Sequence, residues 1–157
     1  MLMLAVAAVL ISCGQKSPAG SDDNNGKADE QTASGKTEEA NLDFLKKYDG
    51  KYAYEVHLFE KKIFADRLSK LIGEDNFKTV QSWDTEMPME YRDNIFVAEG
   101  CKPHDCGSNN YIVVYDFSED AMYAGILTKD EAATFSENGK SSERVEKWKP
   151  FVPDFVK

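Results

Sequence analysis

Asn94-Ile95-Phe96-Val97-Ala98-Glu99, then Gly100-Cys101-Lys102-Pro103-His104-Asp105-Cys106-Gly107, then Tyr111-Ile112-Val113-Val114-Tyr115-Asp116-Phe117 follow one another in the second half of the chain, and their order decides the fold. Two runs rich in branched and aromatic residues flank a dense polar octapeptide, the pattern of a β-hairpin with an elaborated tip. Short runs of the same kind recur at 88–91, 122–128 and 132–136. Arg92-Asp93, Ser118-Glu119-Asp120 and Lys129-Asp130 separate them, so the segment predicts a meander of about five antiparallel strands.

Upstream the periodicity changes. Over 59–72, Ile63, Phe64, Leu68, Leu71 and Ile72 recur at helical spacing, Asp66 and Lys70 form an i, i+4 pair, and Gly73 is placed as the stop. A second helix is expected over 75–83, with Phe77, Val80 and Trp83 on one face. A short first helix is expected to be capped by Asn41, with Asp43 in its first turn, Lys46 and Lys47 in its last, and Gly50 ending it. The stretch 51–58 alternates poorly and is expected to be extended or irregular. Downstream, Asn138-Gly139 marks a turn, 141–148 a final helix, and Pro150-Phe151-Val152-Pro153 a hydrophobic strap. Helices first and strands afterwards give an α+β fold: an antiparallel β-sheet with short helices packed against it and a protruding hairpin loop.

The N-terminus reads differently. Residues 1–11 form an apolar run too short to span a bilayer, ending in Leu10-Ile11-Ser12-Cys13, which resembles a bacterial lipobox. Met1-Leu2-Met3-Leu4 lacks the positive charge with which signal peptides normally start. From 14 to 40 there is no aromatic and no branched aliphatic residue, so this stretch cannot bury enough surface to fold. As a flexible tether it would have an end-to-end distance of about 30 Å. The expected organisation is a lipoprotein signal peptide over 1–12, a lipidated Cys13 with a disordered tether over 13–40, and one domain over 41–157. That places the domain outside the cytoplasm; Gly14 and Gln15 carry no inner-membrane retention signal, which favours the outer membrane.

Composition narrows the partners. The 157 residues carry a net charge of -9, and from Asn41 onward 22 Asp and Glu stand against 16 Lys and Arg. Without a basic stripe, nucleic acid and anionic lipid faces are excluded as charge-driven partners, whereas a basic protein is favoured. No cofactor is expected.

The three cysteines are Cys13, Cys101 and Cys106. If Cys13 carries lipid, Cys101 and Cys106 remain as a pair that can close a small ring stiffened by Pro103. Such a ring contributes about 2 kcal/mol in the chain-entropy account, and its larger effect is to order the loop before binding. Gly100 and Gly107 would supply tight backbone turns on either side.

Four readings of the loop compete. In the plainest, the disulfide staples a hairpin and His104 is an exposed turn residue. A zinc site could draw on Cys101, His104 and Cys106 with His57 as fourth ligand, but the spacing lacks the Cys-x-x-Cys pattern, and oxidation should win outside the cytoplasm. A thiol enzyme with Cys101 or Cys106 as nucleophile and His104 as base, oriented by Asp105, fails on ring geometry and redox state. Neither Ser108 nor another serine sits in a Gly-x-Ser-x-Gly elbow, so the chain is not expected to be an enzyme.

The fourth reading is a wedge that enters another protein's cleft. Cys101-Lys102-Pro103-His104-Asp105-Cys106, with Gly107-Ser108 following, resembles the loop of the Ivy family, the periplasmic inhibitors of vertebrate (c-type) lysozyme. Outside the loop the likeness is one of layout, over about 59–136. The resemblance implies an α+β domain whose loop protrudes and places its histidine, here His104, in the lysozyme active site. Lys102 and Asp105 would hydrogen-bond cleft edges or the loop's own backbone. Homodimers occur among members, though no residue here argues for one independently. The lipobox and tether depart from the soluble members, which leaves open an Ivy-like module for another muramidase or lytic transglycosylase.

Overall fold

The computed structural model describes residues 41–148. The expected signal peptide, Cys13, the expected tether and the expected 150–153 strap lie outside the described residues. The described chain opens with a 3-10 helix, Asp43–Tyr48, and a one-turn 3-10 helix, Leu58–Glu60. Next come α1, Lys62–Ile72, and α2, Glu74–Gln81. The strands follow as β1, Thr85–Glu86; β2, Glu90–Arg92; β3, Ile95–Cys101; β4, Asn109–Asp116; β5, Ala121–Thr128; and β6, Glu131–Ser136. The last element is α3, Glu143–Trp148.

The architecture is the expected α+β one. β3, β4, β5 and β6 form an antiparallel meander, and β1 and β2 both pair with β3 along the edge that faces away from β4. The sheet therefore has six strands where five were expected. The extra one is β1, a two-residue strand too short to show any periodicity, fixed by pairing Thr85 with Cys101 and Glu86 with Gly100.

Both faces of the sheet are covered, which is why the central strands read as nearly continuous apolar runs. One face carries Phe96, Ala98, Tyr111, Val113, Tyr115 and Met122, packed against Phe64, Leu68 and Ile72 of α1, Val80 of α2, and Phe44 and Leu45 of the first 3-10 helix. The other carries Val97, Ile112, Val114, Tyr123 and Leu127 beneath Val145 and Trp148 of α3. A methyl group on Gly125 would lie 2.4 Å from the Trp148 ring, so this glycine in β5 is the seat of that indole.

The helical expectations shift at their edges. Asn41 Oδ1 accepts the Asp43 N–H at 2.9 Å, but the N-cap position falls to Leu42, which has no capping side chain, and the helix that follows is 3-10 rather than α. Helix α1 starts at Lys62 instead of 59 because His57 is left-handed (φ 51°) and Lys61 is extended. Asp66 pairs with Lys62, one turn toward the N-terminus, and not with Lys70. Gly73 ends α1 at φ 84°, as expected. The second helix runs from Glu74 and stops before Trp83, which is buried just beyond it.

Candidate functional site

The polar octapeptide is the tip of the β3–β4 hairpin. Cys101 ends β3 opposite Asn110, and the last ladder bond runs from the Lys102 N–H to the Asn109 carbonyl at 3.0 Å. Cys101 and Cys106 form a disulfide with their Cα atoms 4.9 Å apart. The thiols are thus unavailable as zinc ligands or nucleophiles. His57 belongs to another segment, with its Nδ1 3.3 Å from Glu60 Oε1.

Inside the ring the chain reverses at Lys102-Pro103-His104-Asp105, where the Asp105 N–H donates to the Lys102 carbonyl at 3.0 Å. Proline at the second position and a positive φ at the third fit a type II turn, whose third residue is normally glycine or asparagine. Here the third residue is His104, at φ 62°. A non-glycine residue held there costs on the order of 1–3 kcal/mol and persists only where its surroundings over-determine it. Gly107 lies in the turn that closes the ring, without a positive φ, whereas Gly100 is not a turn residue. Gly100 lies within β3, and its missing side chain makes room for Tyr111: a Cβ there would meet the ring and hydroxyl at 2.7 Å.

The imidazole of His104 is exposed and, among the described residues, makes no hydrogen bond or ion pair. Lys102, Asp105, Asn109 and Asn110 are engaged within the loop, although Asn110 Oδ1 is buried without a hydrogen-bond partner. Asp105 Oδ2 accepts from Asn109 Nδ2 at 2.7 Å and faces Lys102 Nζ at 3.4 Å; Asn110 Nδ2 donates to the Cys106 carbonyl at 2.7 Å. Asp105 thus ties the loop together through its side chain, while its carbonyl accepts the Ser108 and Asn109 N–H groups at 3.2 and 2.9 Å. Asn109 escaped the sequence reading. Its one signal was the pair of asparagines, Asn109 and Asn110, that opens a strand with an apolar centre.

The base of the loop rests on aromatic rings. Tyr111 is buried, stacked on Trp83 at 6.3 Å and met edge-on by Phe59 at 5.8 Å. Burial, with the nearby charges of Glu86 and Glu99, pushes its hydroxyl far above the usual phenol range. Glu99, half-buried beside the loop base, is raised as well, by burial and the charge of Glu90, with Arg144 opposing. The site is thus an uncommitted imidazole on a pre-shaped, disulfide-closed tip, with carboxylates around its foot.

Searches of curated proteins and of solved structures returned no match to the chain. The family described as inhibitor of vertebrate lysozyme (Ivy) matches residues 63–156, from α1 through the sheet and the loop to beyond α3. That span takes in more than half of the chain, including all six strands and the whole Cys101 to Cys106 ring, so the chain belongs to the Ivy family of lysozyme inhibitors.

Proposed function

We propose that the chain inhibits c-type lysozyme by inserting the Cys101 to Cys106 loop, led by His104, into the active-site cleft. The observation that carries this reading is the free, exposed imidazole at the apex of a disulfide-closed loop in which Lys102, Asp105 and Asn109 are tied to one another. A retaining glycosidase cleft presents two carboxyl groups about 5–5.5 Å apart. A flat ring with a nitrogen on each of two edges can hydrogen-bond both at once and offers no glycosidic bond to cut. A charged imidazole would make both bonds charge-assisted. Pro103 and the disulfide order the loop beforehand, so little entropy is lost on insertion. Lys102 and Asp105, at the rim of the turn, meet the cleft edges.

The cellular setting belongs to the same proposal. Cys13 carries the lipid, the 13–40 tether lifts the domain clear of the outer membrane, and the disulfide persists because the compartment is oxidising. No helix among the described residues is long and apolar enough to cross a membrane.

The test is hydrolysis of cell walls by a c-type lysozyme in the presence of the full chain in detergent. His104→Ala keeps the Cβ and therefore the backbone cost of the left-handed turn, so it isolates the imidazole. Inhibition is expected to weaken about thirtyfold or more, as for an interface hot spot, with the fold unchanged. An unaltered inhibition constant would sink the wedge mechanism.

A further inference from the structure

Asn109 is the buried polar residue among the described residues, only 7 % exposed. All four of its hydrogen-bonding groups are in use, three of them within the loop. Its backbone N–H donates to the Asp105 carbonyl at 2.9 Å, and its carbonyl accepts from the Lys102 N–H at 3.0 Å. Its side chain donates from Nδ2 to Asp105 Oδ2 at 2.7 Å and accepts at Oδ1 from the Lys129 N–H at 3.3 Å.

That last bond leaves the hairpin. Lys129 and Asp130 form the two-residue turn between β5 and β6, both with positive φ (52° and 69°), and the Asp130 N–H reaches the Ser108 carbonyl at 3.4 Å. The tip of the second hairpin therefore leans on the tip of the first, with the Asn109 carboxamide between them. The disulfide fixes only the ends of the ring. The left-handed turn at His104 lies inside it, and its following residue, Asp105, is gripped at both carbonyl and carboxylate by Asn109.

We propose that Asn109 is the positioning residue of the loop, holding through Asp105 the turn that presents His104 and tying that turn to the β5–β6 hairpin. Only a side chain with a donor and an acceptor at this length serves both neighbours. Aspartate would set carboxylate against carboxylate, and alanine or serine would leave Asp105 and the Lys129 N–H without their partner. The proposal concerns the order of the free loop and rests on the inhibitor reading only for its consequence in binding.

Backbone ¹⁵N relaxation on the full chain in detergent, with no partner present, is the deciding measurement. In Asn109→Asp the order parameter at His104 is expected to fall from about 0.85 to below about 0.6, while the sheet amides keep theirs. Adding Asp105→Asn reverses donor and acceptor, restores the bond at unchanged net charge, and should return the loop to its original order. An order parameter unchanged in Asn109→Asp, or no recovery in the double variant, would overturn the proposal. Should Asn109→Asp fail to fold, Asn109→Ser, too short to reach Asp105, is read in the same way. In the lysozyme assay Asn109→Asp should inhibit about tenfold less well. A parent chain that does not inhibit at all would remove the inhibitor reading and leave the relaxation result to stand on its own.

Discussion

An alanine at Gly100 would put a methyl group 2.7 Å from the ring and hydroxyl of Tyr111, which is buried between Trp83 and Phe59 and cannot swing aside. Overpacking of this kind typically costs about 1–3 kcal/mol, so Gly100→Ala should lower the urea midpoint correspondingly at an unchanged slope. A variant as stable as the parent would mean that the Tyr111 ring has slack. The position also marks the limit of what single residues disclose in a sequence. Glycines on either side of a cysteine ring look like turn residues, but the left-handed conformation went to His104, and Gly100 serves a neighbour across the sheet. Composition cannot say which, because the deciding ring lies eleven residues away. The loop's chemistry was legible, since Cys101, Pro103, His104 and Cys106 announce themselves by type and spacing. Its support was not: Asn109 matters through partners that only the folded chain brings near.

At the scale of elements, α1 is fastened to the far end of the sheet by one arginine. Arg67 Nε and Nη2 donate to the two oxygens of Glu137 at 2.8 Å, and Nη1 donates to Asp120 Oδ1 at 2.8 Å. Asp120 also accepts from the Tyr115 hydroxyl, and Glu137 from the Met122 N–H. The clamp thus joins the helix to the β4–β5 turn and to the end of β6. The Tyr115 hydroxyl and then the Arg67 guanidinium hold the Asp120 carboxyl below its ordinary value of 3.8. A depressed carboxyl contributes stability that is present above the unfolded value and lost as pH falls through the folded one. Arg67→Met should therefore destabilise at pH 7, by about 1 kcal/mol because Asp120 is largely exposed and screened, and the gap to the parent should narrow as pH falls below 3.8. Denaturant titrations at pH 7 and pH 3 check both limbs; a gap undiminished at pH 3 would assign the effect to packing instead. Elements were the most legible level of the chain. Branched and aromatic runs marked β3 to β6 within a few residues, and Gly73 marked the break between helices. The two-residue β1 and the late start of α1 were hidden, because register with β3 and the left-handed His57 decide them.

Across the whole molecule the informative quantity is charge. A net charge of -9 on 157 residues, at a sequence pI near 4.7, exceeds what solubility needs, and the carboxylates of Glu86 and Glu99 are kept close to the loop base although burial raises both their pKa values. Retaining half-buried acids at that foot is unfavourable for the free domain and favourable once a basic surface arrives to face them. Lysozyme attack is also a contest of rates, because an inhibitor that arrives late protects nothing. The acidic domain is accordingly expected to act mainly on association, and His104 mainly on dissociation. Raising monovalent salt from about 15 to about 150 mM shrinks the Debye length from about 25 to about 8 Å and should slow association with a basic c-type lysozyme about tenfold, with dissociation changed less than about twofold. His104→Ala should show the opposite division: the same salt slope for association, and dissociation faster by about thirtyfold or more. Stopped-flow association and displacement kinetics measure the two rates separately. A salt-independent association rate would remove charge steering from the mechanism while leaving the wedge intact, and an association slope that flattens in His104→Ala would show that the two contributions are not separable.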